Sequence, residues 1–215
     1  MPDAPSRCAG TRFPLLLSVR LFDMVRWPTL LLSVCSYMAW MSVAHMPVFS
    51  ERAFLLGFIV GPLTLVAIFS LIAPRMAYVQ CRPQYLLVSG PLYRLAVSYH
   101  RITAVGLADF SEFYLHAEQP WFERRLLAPL VRSAHAGRLT VVSLELTSLP
   151  LNSVWLRLWF SRYVFTLDGN GMLLMVRDWM LLKREIELFH KVFMARLERD
   201  GVADLIGHEG RNITS

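Results

Sequence analysis

The stretch AFLLGFIVGPLTLVAIFSLIAPRMAYVQCRP, Ala53 to Pro83, decides how the rest of the chain is read. Its first 21 residues, Ala53 to Ala73, contain no Asp, Glu, Lys or Arg. A helix rises about 1.5 Å per residue, so roughly 20 apolar residues cross a hydrocarbon core about 30 Å thick. Gly57, Gly61 and Pro62 would weaken a helix in water, but spanning helices tolerate them. The oily run ends at Pro74-Arg75, and beyond Met76 the pattern changes. The stretch reads as the point where a chain leaves a bilayer and a folded domain begins.

A second uncharged run, Pro28 to Met46, lies just upstream, and only MPVFSER joins the two. So short a link forces an antiparallel hairpin with spans at about 28–46 and 53–73. Gly57 and Gly61 form a GxxxG, which predicts close helix packing there. Arg7, Arg12, Arg20 and Arg26 precede the first span, and Arg75, Arg82 and Arg94 follow the second. Basic flanks stay inside, so both termini are expected in the cytoplasm at the inner membrane. Arg26, Trp27, Arg75 and Tyr78 are the expected interface anchors. The competing readings are buried core helices and a cleaved signal peptide. Two uncharged runs with a tight turn between them are rare in soluble chains, and no A-x-A site follows the apolar patch at Phe13 to Val19. Residues 1–26 are expected to form a cytoplasmic segment in which FPLLLSVRLFDMVRW lies along the interface as an amphipathic helix.

Composition agrees. The chain has 215 residues, 55% hydrophobic and 18% charged, with net charge +6. Soluble domains carry about a quarter charged residues. The arginines are dispersed and many flank the apolar runs, so nucleic acid is not the expected partner. Three cysteines, Cys8, Cys35 and Cys81, form no CxxC and read as reduced and structural.

From residue 75 to 200 the chain reads as a cytoplasmic domain. Gln84 to Gly90 is a strand ending at a Ser-Gly-Pro turn, Tyr93 to Tyr99 alternates, and Ile102 to Gly106 continues as a strand. RLTVVSLELT alternates with Val142, Leu144 and Leu146 on one face. WFSRYVFTLDGNGMLLMV predicts a hairpin around Asp168 to Gly171. From Trp179, Leu182, Ile186, Phe189, Phe193 and Leu197 form one helical stripe, capped by Asp178 and stopped at Gly201. Residues 201–215 read as a flexible tail.

Two helices, then YLLVSGPLYRLAVSYHRITAVG, then strands and a closing helix resemble the bacterial membrane-anchored PH-like domain proteins. The positions that carry the resemblance are Tyr85, Leu86, Val88 and Gly90, then Arg101, Ile102 and Val105. It covers roughly residues 27 to 110 and, less closely, 139 to 199. It implies a membrane α-helical hairpin plus an α+β, mostly β, domain: a bent antiparallel sheet or partial barrel closed by a C-terminal helix.

Residues 111–137 depart from that pattern. They place Trp121, Leu126, Leu127 and Leu130 beside Arg124, Arg125 and Arg132, with Pro129 within. Trp121, Arg124, Arg125 and Arg132 are therefore candidate contacts to the membrane surface or to a partner. The alternative, which the pattern favours slightly, is an insertion helix packed on the sheet with its arginines in water.

No HExxH, Walker A, GxGxxG or GxSxG occurs, and the six histidines are scattered. No metal or cofactor is expected. The sequence thus predicts a non-catalytic binding or scaffolding domain at the inner face of the membrane. Its partners would be the bilayer, anionic lipid headgroups or another membrane protein. The alternative is a small membrane enzyme with polar side chains converging near Arg75, His100 and Arg101, or an accessory subunit of a larger membrane complex.

Overall fold

The computed structural model describes residues 10–44, 50–110, 114, 125–130, 139–166 and 170–209. In chain order the elements are β1 (Arg12–Pro14), α1 (Leu16–Ala44), α2 (Ser50–Met76), β2 (Tyr78–Cys81), β3 (Tyr85–Ser89), β4 (Arg94–Ser98), β5 (Ile102–Asp109), β6 (Thr140–Leu146), α3 (Ser153–Trp159), β7 (Gly171–Leu174) and α4 (Trp179–Glu209). Short 3-10 turns occupy Tyr99–Arg101 and Arg162–Val164. The fold is mixed α+β.

Two antiparallel sheets form, in the orders β1-β2-β3-β4 and β5-β6-β7. A bridge between Leu15 and Val176 links the outer strand of the first to the outer strand of the second. The Leu16 N–H continues this link by donating to the Met175 carbonyl at 2.9 Å. Inward residues of both sheets share one core: Val79, Leu86, Val88 and Val97 from the first, Val142, Leu144, Met172 and Leu174 from the second. The α4 stripe closes it with Leu182, Ile186 and Phe189, all buried.

The predicted strands at 84–90, 93–99, 102–106 and 138–147 are all present as strands, with ends shifted by a few residues. Three expectations need correction. First, the segment before the helices is not a separate interfacial helix. Arg12–Pro14 is a strand paired to β2 in the register Arg12↔Gln80, Phe13↔Val79 and Pro14↔Tyr78. Phe13 and Leu15 are buried while Arg12 and Pro14 between and beside them are exposed, the alternation of an extended stretch before α1 begins. The helix then runs on through Pro28 without a break at 26/27.

Second, the first arm of the predicted hairpin is not a strand. It is the end of α3 and a 3-10 turn, and only Phe165 bridges Met172. Asn152 caps α3 by accepting the Val154 N–H at 3.1 Å, which commits the arm to helix. Gly171 is needed at the reversal because a Cβ there would meet the Leu144 carbonyl oxygen at 2.8 Å. Third, α4 does not stop at Gly201 but runs to Glu209. A single glycine costs a helix only about 1 kcal/mol, and VADLIGHE after it offers no breaker.

α1 and α2 lie antiparallel, with Trp40 beside Gly57, Ser33 opposite Thr64 and Phe22 against Phe69. Among the described residues one helical segment, Gly57–Met76, is long and apolar enough to cross a membrane. The expected span 53–73 overlaps this segment; the expected span 28–46 is not matched among the described residues, where the uncharged part of α1 runs from Trp27 to Ala44 and carries Ser33, Ser36 and Ser42.

Candidate functional site

The helix pair is joined to the sheet at both of its open ends. β1 ends at Pro14 and α1 starts at Leu16; α2 ends at Met76 and β2 starts at Tyr78. The Leu15 N–H donates to the Ala77 carbonyl at 3.1 Å, closing the gap between the two junctions. The helices therefore leave the body together, from one end of one sheet.

The register shows which end. Tyr78 pairs with Ser89, and Ser89 with Arg94, so the β3–β4 turn lies at the same end as the helix junctions. Tyr85 pairs with Ser98 at the far end, and the Tyr99–Arg101 turn follows there. His100 and Arg101 thus stand a strand's length, about 17 Å, from Arg75. The polar convergence proposed for an enzyme at Arg75, His100 and Arg101 does not form.

Within the helix pair, small residues make the contact. Among the described side chains of α2, Val60, Ala67, Ser70 and Ala73 are buried and form its face toward α1. The Ser33 and Thr64 hydroxyls meet at 3.2 Å between the helices. Gly57 faces the Trp40 indole, with 3.8 Å from a notional Cβ to Nε1, whereas a Cβ at Gly61 would meet nothing within 4 Å. The predicted GxxxG seam is therefore corrected. Gly57 lies beside α1, Gly61 points away from it, and the seam runs through residues 60, 64, 67, 70 and 73. Steps of three and four were available in the sequence, but the eye goes to the glycines.

Beyond the charged residues near the body, the pair's outward surface carries many apolar side chains. Leu31, Leu32, Val34 and Met38 of α1 and Phe58, Ile59, Leu65, Ile68 and Ile72 of α2 are exposed, Leu65 at 69% and Phe58 at 66%. Soluble monomers rarely leave contiguous apolar patches beyond a few hundred Å².

The expected anchors fall on two levels. Arg26 lies between Ser33 and Phe22, so on α2 it stands opposite residues 64 to 69. Arg75 stands opposite the start of α1, because Ala77 meets Leu15. Counted along α1 from Leu16 to Arg26, the two levels are about 15 Å apart. On the first, the Arg26 guanidinium lies 5.7 Å from the centroid of the exposed Trp27 ring. On the second, Arg75 is exposed and Arg12 covers Tyr78 at 4.9 Å.

Of the four candidates in the insertion, Trp121, Arg124 and Arg132 lie outside the described residues. Arg125 is exposed at the start of a helical stretch, 125–130, whose Leu126, Leu127 and Leu130 are buried in the shared core. That stretch packs on the body, as the alternative reading expected. Tyr114 ties the same region down: its hydroxyl donates to the Phe165 carbonyl at 2.6 Å, and burial raises its pKa.

Two interior features bear on chemistry. Cys81 and Tyr99 interact below α4, and burial, then nearby Glu185, pushes the Cys81 thiol up to about 12. Burial likewise raises the Tyr99 hydroxyl, which has no partner in full hydrogen-bond geometry among the described residues. Both groups stay protonated near neutrality, so neither is a ready nucleophile. Glu185 accepts the Thr11 N–H at 2.9 Å, and its own pKa is raised chiefly by burial. Between β5 and α4 lies a cleft of about 140 Å³ lined by Thr103, Glu187, His190 and Lys191. Small-molecule pockets run to roughly 300–1,000 Å³. Among the described residues no group of three or more His, Cys, Asp or Glu could hold a metal ion.

No protein-family model, characterised protein or solved structure matches the chain.

Proposed function

We propose that the chain is an integral membrane protein. In this reading α1 and α2 insert as a hairpin, and the α+β body is a PH-like domain at the cytoplasmic face of the inner membrane. The body is a non-catalytic binding or assembly module. The observation that carries the reading is the outward surface of the helix pair, apolar from Leu31 to Met38 and from Phe58 to Ile72, on a body whose own core is fully formed.

The geometry supports this in three ways. From Trp27 to Ala44 is 18 residues, about 27 Å of helix, close to the 30 Å thickness of a hydrocarbon layer. The Ser33 and Thr64 hydroxyls bond each other and so keep those two polar groups inside the pair. Arg26 and Arg75 both stand toward the end of the pair that joins the body, and their charge favours the cytoplasmic side for that end. Tethering raises the body's effective concentration at that surface, so weak contacts suffice for a binding role. The small cleft against α4 fits a side chain or short peptide better than a bulky substrate.

The test is fractionation and topology of the full chain. The protein is expected to stay in carbonate-washed membranes, to be released by detergent, and to carry reporters at either end into the cytoplasm. Recovery in the detergent-free supernatant overturns the membrane reading. For the binding role, gently solubilised full chain should retain proteins or lipids that a chain with its body replaced by an unrelated domain does not. Equal recoveries overturn it.

A further inference from the structure

We infer that the body touches the bilayer at a second place, through α3 and the β3–β4 turn, which together lie in the headgroup layer beside the helix pair. This deepens the membrane reading above and rests on it.

The turn is Gly90 to Tyr93. Ser89 pairs with Tyr78 on one side and Arg94 on the other, so the turn projects from the sheet end where α1 and α2 depart. Its tip residue, Leu92, is 68% exposed.

α3 is fastened to the inner side of this turn. The Trp159 ring stacks on Tyr93, with centroids 6.0 Å apart and planes 20° apart, and Phe160 meets Tyr93 edge-on at 6.2 Å. Leu156 anchors the helix in the core. Val154, on the side of α3 away from Leu156, is 74% exposed, and Trp155, on the same face as Trp159, is 48% exposed. Trp155 packs edge-on against Trp159 at 5.8 Å, so three aromatic rings run in a row from the turn to the surface. Arg157 on the same helix and Arg94 at the base of the turn are both exposed.

The chemistry of this patch is that of an interface. A tryptophan with one buried and one open edge suits the headgroup level, where amphipathic rings partition. Valine and leucine reach the acyl boundary, and arginines on either side meet phosphates. The occupant is the bilayer rather than a protein because the patch sits at the sheet end from which the lipid-facing helices start. With the two helices and this patch the body has three points of attachment. Its tilt is then fixed, and the cleft at Glu187, His190 and Lys191 is held away from the membrane.

The test uses the full chain in vesicles of phosphatidylcholine and phosphatidylglycerol, with Cys8→Ser and Cys35→Ser as the background. An environment-sensitive thiol dye is placed by Val154→Cys or Leu92→Cys, both at exposed positions. Lys191→Cys, in the cleft, is the water-facing control, and native Cys35 in a Cys8→Ser chain, read with lipids carrying the nitroxide in mid-acyl chain, is the span control. Lipids carrying a nitroxide near the headgroup should quench the Val154→Cys and Leu92→Cys dyes at least threefold more than the Lys191→Cys dye. Quenching at the span control with none at Val154→Cys and Leu92→Cys sinks this contact and leaves the hairpin standing. No quenching at the span control removes the membrane reading and this contact with it.

Discussion

The backbone N–H of Leu15 bonds the carbonyl of Ala77, so the residue before the first helix and the residue after the second are neighbours. Between them lie both helices of the pair, from Leu16 to Met76. A strand that precedes the pair in sequence thus completes the sheet that follows it. The pair cannot swivel about a single linker. It has two, and they are fused into one ladder.

This makes the short strand β1 a structural necessity. Phe13 is 3% exposed in the shared core. Phe13→Ala should destabilise the body by about 3 kcal/mol, the lower end for a buried phenylalanine. That corresponds to a melting point roughly 9 °C lower for a protein of this size, read in detergent. Thr11→Ala, which keeps its backbone N–H bond to Glu185, should change far less. Equal shifts for the two would mean that β1 does not hold the core.

Glu185 gives the body a pH signature. Burial lifts its pKa above the ordinary 4.5, against the opposing bond from Thr11. An acid whose folded pKa exceeds its unfolded value binds more protons when folded. Its favourable contribution is full below the unfolded value and is lost as pH rises through the folded one. The wild-type melting temperature should therefore carry a component that falls as pH climbs above 4.5, and Glu185→Gln should remove it while keeping an acceptor for Thr11. An unchanged slope in Glu185→Gln would assign the dependence elsewhere.

The two described cysteines should behave oppositely. Cys81 is buried and protonated, with its thiol at about 12, so it should resist thiol reagents until the body unfolds. Cys35 is exposed on α1. If that helix lies in lipid, a membrane-impermeant maleimide should miss Cys35 in vesicles while a lipid-soluble one modifies it, in a Cys8→Ser chain. Fast labelling of Cys35 by the impermeant reagent in sealed vesicles contradicts the hairpin's insertion.

What could be read in advance follows from how local each signal is. The strands at 85–89, 94–98 and 140–146 and the stripe Leu182, Ile186, Phe189 announce themselves by period, because each buries one face within a few residues. β1 does not. Three residues, 12–14, are strand only because β2, more than sixty positions later, offers an edge. The alternation Phe13, Leu15, Leu17 was there, but it overlaps an equally plausible helical start. α3 was hidden for a related reason: WLRLWF is as good a strand as a helix until the Asn152 cap is noticed. The change from an apolar helical run to strands near Pro74 was legible in the sequence. The second patch was not, since Leu92 and Trp155 are brought to one end only by the sheet's register.

The seam between α1 and α2 gives the sharpest contrast between sequence pattern and geometry. Ala67 is 2% exposed on the buried face of α2, while a side chain at Gly61 meets open space. Ala67→Leu must push the helices apart and break the Ser33–Thr64 bond, at a cost of about 1–3 kcal/mol for overpacking. Gly61→Leu adds only lipid-facing or solvent-facing bulk, and in a helix leucine is intrinsically preferred to glycine by nearly 1 kcal/mol. Denaturation in mixed micelles should show Ala67→Leu less stable than wild type and Gly61→Leu equal or better. If Gly61→Leu instead shifts the protein to a smaller species on a native gel, that glycine faces a helix of another chain, and the pair is one part of a larger membrane complex.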